Sequence, residues 1–326
     1  MFNFNSGHAL LWLFRGVELW AYAFLYQHYH WIDAQTLPTW AWAIVGFVAW
    51  DLSFYVLHYC HHHHKWLWKI HLVHHTGPYF NLSLGIRNAW YSSLSSLPFF
   101  AWMAVVGVPP TVFLVVSVVH YAIQLGNHNQ IINRPTVLDR LFITAYSHRV
   151  HHANAPIYRN KNFGSCLNIW DKLMGTYQTQ QADTPLQYAA AFPTTFNPYH
   201  ANQWPWYKQR PQSSAIDANS HIDVAWVVVS AVVLFVSVIF YVWHEYHWSF
   251  SQQLVWVALF TMATIGLGQY SNGKRHGAGW FLSMLLALMW WLYYLQPWLW
   301  SYVLCLMGGH LLYSAMRWMR TQKSVL

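Results

Sequence analysis

Several runs of this chain are apolar over nearly the whole thickness of a bilayer, and no other feature limits its fold so severely. A hydrocarbon core of about 30 Å takes about 20 apolar residues to cross as a helix. Eight stretches meet or approach that length, roughly 9–30, 38–57, 89–107, 110–128, 222–243, 252–269, 279–295 and 298–316. Lipid offers the backbone no hydrogen-bond partner, so each stretch should close its own bonds as an α-helix. Composition agrees, since 56% of the residues are hydrophobic and only 8% are charged, which excludes a soluble domain. The expected fold is all-α, a polytopic membrane protein of about eight transmembrane helices with a cytoplasmic, histidine-rich cap.

Charge placement tests this map independently, because short loops rich in Lys and Arg stay in the cytoplasm. Sixteen of the 17 Lys and Arg residues fall on one predicted side, and the opposite loops hold none. Arg15 is the exception, inside the first span, where Glu18 is its expected partner. Both termini are thus expected in the cytoplasm, with the protein in a bacterial inner membrane or the endoplasmic reticulum. The net charge of +8 follows from this bias and from attraction to anionic lipid heads, and gives no case for nucleic acid. Cys60, Cys166 and Cys305 are odd in number and widely spaced, so no disulfide framework is expected. The start MFNFNSGH lacks the positive region of a cleavable signal, so the first span should be retained.

Three histidine clusters share the cytoplasmic side: His58 and His62; His71, His74 and His75; and His148, His151 and His152. Separations of three or four residues put rings on one helix face, one turn apart. A lone histidine such as His8, His200, His221, His276 or His310 is read as structural or surface-exposed, whereas clusters at this spacing are read as metal ligands. The run His61 to His64 alone could be an adventitious metal-binding tract, but it would not explain the other two clusters. Eight imidazoles exceed the four-ligand demand of one zinc, so two metals are implied. His128, at the cytoplasmic end of the fourth span, could be a ninth ligand, while His120 lies two turns deeper and reads as a buried, hydrogen-bonded ring.

Carboxylates are scarce here, which argues against carboxylate-rich di-iron bundles and two-metal hydrolysis. Asp51, Asp139 and Asp171 could orient ligating rings from behind, or could cap helices and pair with Arg. Spans three and four should form a hairpin turned at Gly107-Val-Pro-Pro110, which returns the third cluster to the first two. The stretch Gln178–Ser220 is expected to be irregular. Residues 1–220 form the expected catalytic module, and 221–326 a four-span membrane module without a comparable ligand cluster.

These residues carry a family resemblance. Asp51-LSFYVL-His58-YCH-His62, Trp68-KI-His71-LV-His74-His75, His148-RV-His151-His152 and Asn162-FGSCLNIWDKLMGTY177 together resemble the fatty acid hydroxylase and sterol desaturase superfamily. The resemblance runs from Asp51 to about Tyr177. The His62-to-His71 spacing, the string Tyr79-FNLSLGIR87 and the added C-terminal spans are similar to its alkylglycerol monooxygenase-like branch. Tyr59, Ser147, Gln130 and Asn160 depart from the family pattern, but no box histidine is lost.

The resemblance implies a non-haem di-iron centre that uses O2 to hydroxylate an alkyl or acyl chain of a lipid, with no catalytic residue beyond the metal ligands. A site at the membrane interface can receive such a chain directly from the bilayer while keeping a strong oxidant from water. Trp66, Trp68, Tyr79, Phe80 and Trp90 would line the entrance, or belong to the interfacial aromatic belt. No dinucleotide fingerprint, haem-attachment motif or ferredoxin-type cysteine run is present, so electrons should come from a tetrahydropterin or a separate electron-transfer protein. A lipid or sterol desaturase would use the same boxes. A transition-metal transporter or sensor would instead place histidines and acids near the bilayer midplane, and a bis-histidine haem protein would leave most of the box histidines without a role.

Overall fold

In chain order the α-helices are α1 (His8–Tyr29), α2 (Thr39–His63), α3 (Lys65–His75), α4 (Leu82–Gly85), α5 (Ser92–Val106), α6 (Pro110–Asn127), α7 (Ala145–His151), α8 (Ile169–Leu173), α9 (Pro198–Gln203), α10 (Val224–His244), α11 (Phe250–Ser271), α12 (His276–Leu295) and α13 (Gly309–Lys323). The computed structural model describes residues 8–77, 79–188, 195–207, 222–295 and 304–323, and no strand occurs among them. By length and composition, α2, α6, α10, α11 and α12 can each cross a membrane. The protein is therefore an all-α, multi-pass membrane protein.

These five helices fall on five of the eight expected spans. Of the other three, α1 carries Arg15 and Glu18, and α5 has only 15 residues with Pro98 inside. The last span, 298–316, and the turn expected at Gln296-Pro297 lie partly outside the described residues, which resume with a π-helical turn, Leu304–Gly308. Within Gln178–Ser220, expected to be irregular, α9 and a 3₁₀ turn at Trp204–Trp206 are ordered helically, while 189–194 and 208–220 lie outside the described residues.

The chain divides into two compact units. One comprises Leu11–Thr194 with Asn202–Ser213, and the other Met1–Leu10 with Thr195–Ala201 and Ser214–Leu326. The second unit packs α10, α11 and α12 around Trp226, Trp256, Phe260, Phe281 and Leu285.

The first unit holds the histidines, and its apolar core joins α1, α2, α5 and α6 through Tyr22, Trp50, Phe100, Met103 and Phe113. Charges inside this core are matched as expected: Arg15 pairs with Glu18 and donates to Ser117 Oγ at 3.0 Å, while Ser96 Oγ donates to Glu18 Oε1 at 2.9 Å. Buried ions tolerate low dielectric only when so satisfied. The α5–α6 hairpin turns on Gly107, whose φ of 119° favours glycine. A Cβ there would also meet the Ile32 carbonyl at 2.2 Å.

Helix α2 explains how a membrane core and a polar site share one element. Its 25 residues measure about 37 Å, longer than a bilayer core of about 30 Å, so its last turns with His58 and His62 can emerge beyond the hydrocarbon. A single extended residue, His64, ends α2 and starts α3, turning the second cluster back toward the first.

Candidate metal centre

Four segments of the first unit deliver nine imidazoles to one place. α2 brings His58 and His62, α3 brings His71, His74 and His75, the C-cap of α6 brings His128, and α7 with its C-cap brings His148, His151 and His152. Helix α7 has only seven residues, too few to be stable alone. It is held by a capping box between Thr144 and Ser147, in which Thr144 N donates to Ser147 Oγ at 2.9 Å, and Tyr146 N also donates to Thr144 Oγ1 at 3.2 Å. Ser147, a departure from the family pattern, thus has a local structural task.

The nine rings sort into two sets. His58, His62, His71, His75 and His151 form one, and His74, His128, His148 and His152 the other; within each, one ligand atom per residue lies within 4.8 Å of all the rest. Adjacent residues feed different sets because successive helical side chains point about 100° apart. His74 and His75 therefore divide between the two sets, as do His151 and His152, and the sets abut where His75 stacks on His152 at 4.5 Å.

Tautomers can be read from the backbone. Nδ1 of His58 lies 2.9 Å from the Phe163 carbonyl, that of His74 3.1 Å from Arg87 O, that of His128 2.7 Å from Gln124 O and that of His151 2.8 Å from Lys161 O. A carbonyl only accepts, so each Nδ1 carries the proton and each Nε2 presents a bare lone pair. Yet His74 and His128 bring Nε2 atoms to 3.2 Å, His128 and His148 to 3.1 Å, and His75 and His151 to 3.2 Å. Nε2 of His62 and of His152 is buried without any hydrogen-bond partner. The lone pairs of His74 and His128 repel unless a cation lies between them. The donor set fits two metal ions, one per set, and the all-nitrogen character suits iron, zinc or copper.

Electrostatics reinforces the fit. Burial, followed by repulsion from neighbouring imidazoles, holds His71, His75, His148 and His152 well below histidine's usual value, and His74 is lowered in the same way despite its carbonyl partner. Burial also brings His151 to about 4. These rings are neutral near pH 7, the state that binds metal.

Asp51, Asp139 and Asp171, for which the sequence leaves open either support of ligating rings or a capping or pairing role, touch none of the nine. Backbone carbonyls take that role because they lie closer to each Nδ1. Asp171 accepts from Phe163 N and Gly164 N at 2.8 Å and from Thr176 Oγ1 at 2.7 Å, so it fixes the loop whose carbonyl orients His58. Burial pushes its carboxyl up, against the pull of those donors. Asp139 accepts from Thr136 N at 2.7 Å and from Thr144 Oγ1, next to the cap of α7. Asp51 accepts from Cys166 N and Trp170 Nε1 at 2.8 Å and faces His120, which stands apart from the nine.

The aromatic residues divide as well. Trp66 and Tyr79 are exposed and Trp90 is half-buried, its backbone N donating to Asn202 Oδ1 at 2.8 Å. Trp68 packs against His62 and His75 at 4.9 and 5.4 Å. Phe80, expected at the entrance, is instead a fully buried wall stacked on His128 at 5.4 Å, with Tyr188 stacked behind it. Gln130 Nε2 holds it there by donating to Phe80 O at 3.0 Å. Of the run His61 to His64, only His62 enters a set. His61 instead lies 3.1 Å from Ser95 Oγ.

Comparison with known proteins agrees with this geometry. Residues 43–176 match the fatty acid hydroxylase family. The chain is similar to alkylglycerol monooxygenase of Danio rerio, at 32% identity over 165 residues, 51% of this chain and 36% of that protein. It is also similar to the ornithine lipid hydroxylase OlsE of Rhizobium tropici, at 32% identity covering 41% of each chain, and to human cholesterol 25-hydroxylase, at 34% identity covering 40% of this chain and 48% of that one. The chain spans less than half the length of these relatives. No solved structure matches it significantly.

Proposed function

We propose that this protein is a membrane-bound non-haem di-iron oxygenase that hydroxylates an alkyl or acyl chain of a lipid, with an alkylglycerol monooxygenase-like ether lipid as the first substrate to test. The observation that carries the reading is the pair of abutting imidazole sets, whose Nε2 atoms converge at about 3 Å, both of them bare where His74 meets His128. The five-histidine and four-histidine sets would each hold one iron ion. When bound, the two irons supply the reduction of O2 and the oxidation of an unactivated C–H bond. Iron is favoured over the other metals that imidazole suits because the relatives are named as monooxygenases and hydroxylases.

The protein's own residues bind, orient and exclude. The carbonyls of Phe163, Arg87, Gln124 and Lys161 fix the ring tautomers, while Phe80 and Phe163 exclude water from the two sets. The module 1–220 carries the chemistry, and 221–326 anchors it in the bilayer that supplies the lipid. The one-sided distribution of Lys and Arg supports a site and termini on the cytoplasmic face, where a tetrahydropterin or an electron-transfer protein can deliver electrons.

Metal analysis of the purified protein, combined with lipid mass spectrometry of cells with and without the gene, tests this reading. The expected result is bound iron and a lipid class that gains one oxygen atom only when the gene is present. Loss of two hydrogens instead would assign a desaturase, and iron-free protein with unchanged lipids would overturn the proposal.

A further inference from the structure

We propose that Asp51, His120 and Cys166 form a third metal site, separate from the nine histidines, that takes a single zinc-like divalent ion. Asp51 lies on α2, His120 on α6, and Cys166 on the loop that follows Phe163. All three are buried, and one ligand atom from each lies within 4.8 Å of the other two.

The imidazole of His120 carries the argument. Its Nδ1 lies 2.9 Å from the Val116 carbonyl and so holds the proton. Its Nε2 is fully buried without a hydrogen-bond partner and faces Asp51 Oδ1 at 3.3 Å. A lone pair set against a carboxylate oxygen inside membrane-spanning helices is repulsive unless a cation bridges them. The separation suits such a bridge, since two ligands bound at about 2.0–2.1 Å on a tetrahedral ion stand about 3.3 Å apart.

The surroundings are fixed and select the ion. Cys166 N and Trp170 Nε1 orient the Asp51 carboxylate, while the rings of Phe47 and Trp50 pack on His120 at 4.2 Å each. Cys166 is a free cysteine, and its sulfur adds a soft donor that favours zinc over magnesium or calcium. On binding, the thiol proton leaves to water. Thiolate, carboxylate and divalent ion then sum to zero charge, which a membrane interior tolerates. Such an ion would tie α2 and α6 to the loop whose Phe163 carbonyl orients His58.

The test counts metal and reads its ligands. Full-length protein is loaded with Zn2+ or Co2+, cleared of loose ions and analysed beside Cys166→Ala and a His74→Ala/His151→Ala double variant. The proposal expects three ions per wild-type chain and two in Cys166→Ala. The double variant should keep the ion that Cys166 binds. Cobalt-loaded wild type and the double variant should show a thiolate-to-cobalt charge-transfer band that Cys166→Ala lacks. Two ions in wild type with no such band would mean that a proton, not a metal, bridges His120 and Asp51, and would overturn the proposal while leaving the nine-histidine centre intact. The cobalt spectrum of wild type decides this even if a variant fails to insert.

Discussion

His74 and His128 hold their Nε2 atoms 3.2 Å apart although each already directs its Nδ1 proton to a backbone carbonyl, Arg87 O and Gln124 O respectively. Two acceptors at that distance cannot form a hydrogen bond, and protonating either ring would place a charge where burial resists it. A metal ion removes the conflict by giving both lone pairs one partner. The site is thus assembled for a cation, and the protein without one should carry a measurable strain.

Acid should expose that strain. The folded-state values of the buried rings are lowered, that of His151 from the ordinary 6.5 to about 4, so the unfolded chain binds more protons than the folded one in that interval. Stability of chelator-treated protein should be full above about pH 6.5 and fall as pH drops from there toward about 4. Loaded protein should release its ions over the same interval, because protons compete for the same lone pairs. Thermal unfolding and metal content measured against pH check both, and a melting temperature indifferent to pH across this window would contradict a neutral buried cluster.

Gly85 sets the position of His128. A Cβ at Gly85 would lie 3.0 Å from His128 Cγ and Nδ1 and 3.0 Å from Leu125 Cδ1. The ring cannot retreat easily, because its Nδ1 is fixed to Gln124 O and its face lies on Phe80. Gly85→Ala should therefore weaken metal binding at the four-histidine set by about ten-fold or more, as loss of ligand positioning commonly does, and leave the five-histidine set near wild type. Stepwise metal titration should show the four-histidine site weakened beside an unchanged five-histidine site, and two unchanged histidine sites would mean that the helix absorbs the methyl group.

The parts of this architecture written in local periodicity are legible in the sequence. Apolar runs gave the positions of α2, α6, α10, α11 and α12, and the spacing of the boxes gave the histidines that the fold brings together. Long-range backbone geometry was not legible. Nothing in the string assigns Phe163 O to His58 or Arg87 O to His74, because those partners are 105 and 13 residues away and use atoms that every residue possesses. Sequence reasoning can offer only Asp51, Asp139 and Asp171 for that role, with capping or ion pairing as the alternative, since carboxylates are visible by residue type. Phe80 was misplaced for a similar reason, an aromatic ring beside an interfacial segment being equally suited to the surface and to the wall of a site.

Asp171 supplies the support that Phe163 needs. Replacing it with Ala would leave Phe163 N and Gly164 N buried without an acceptor, at about 1–3 kcal/mol each. The loop carries the carbonyl that orients His58, so metal affinity at the five-histidine set should also fall about 10–100-fold. Chemical denaturation and competition with a metal chelator separate the two effects. A loss of stability with unchanged affinity at that set would show that His58 keeps its orientation without the Asp171 anchor.

Phe80 is fully buried beside the four-histidine set, stacked on His128 and on Tyr188 and packed against His148 and His152. Phe80→Ala removes most of that packing and should cost about 3–5 kcal/mol, the usual range for truncating a buried Phe. Water admitted beside the set should also separate reductant use from product formation, since a dry site is what couples O2 reduction to the substrate. The ratio of hydroxylated lipid to reductant oxidised should therefore fall in Phe80→Ala and recover largely in Phe80→Leu, which restores apolar volume without the ring stack. If the ratio in Phe80→Ala matches wild type while the melting temperature falls, Phe80 supports the fold alone and the barrier to water lies elsewhere.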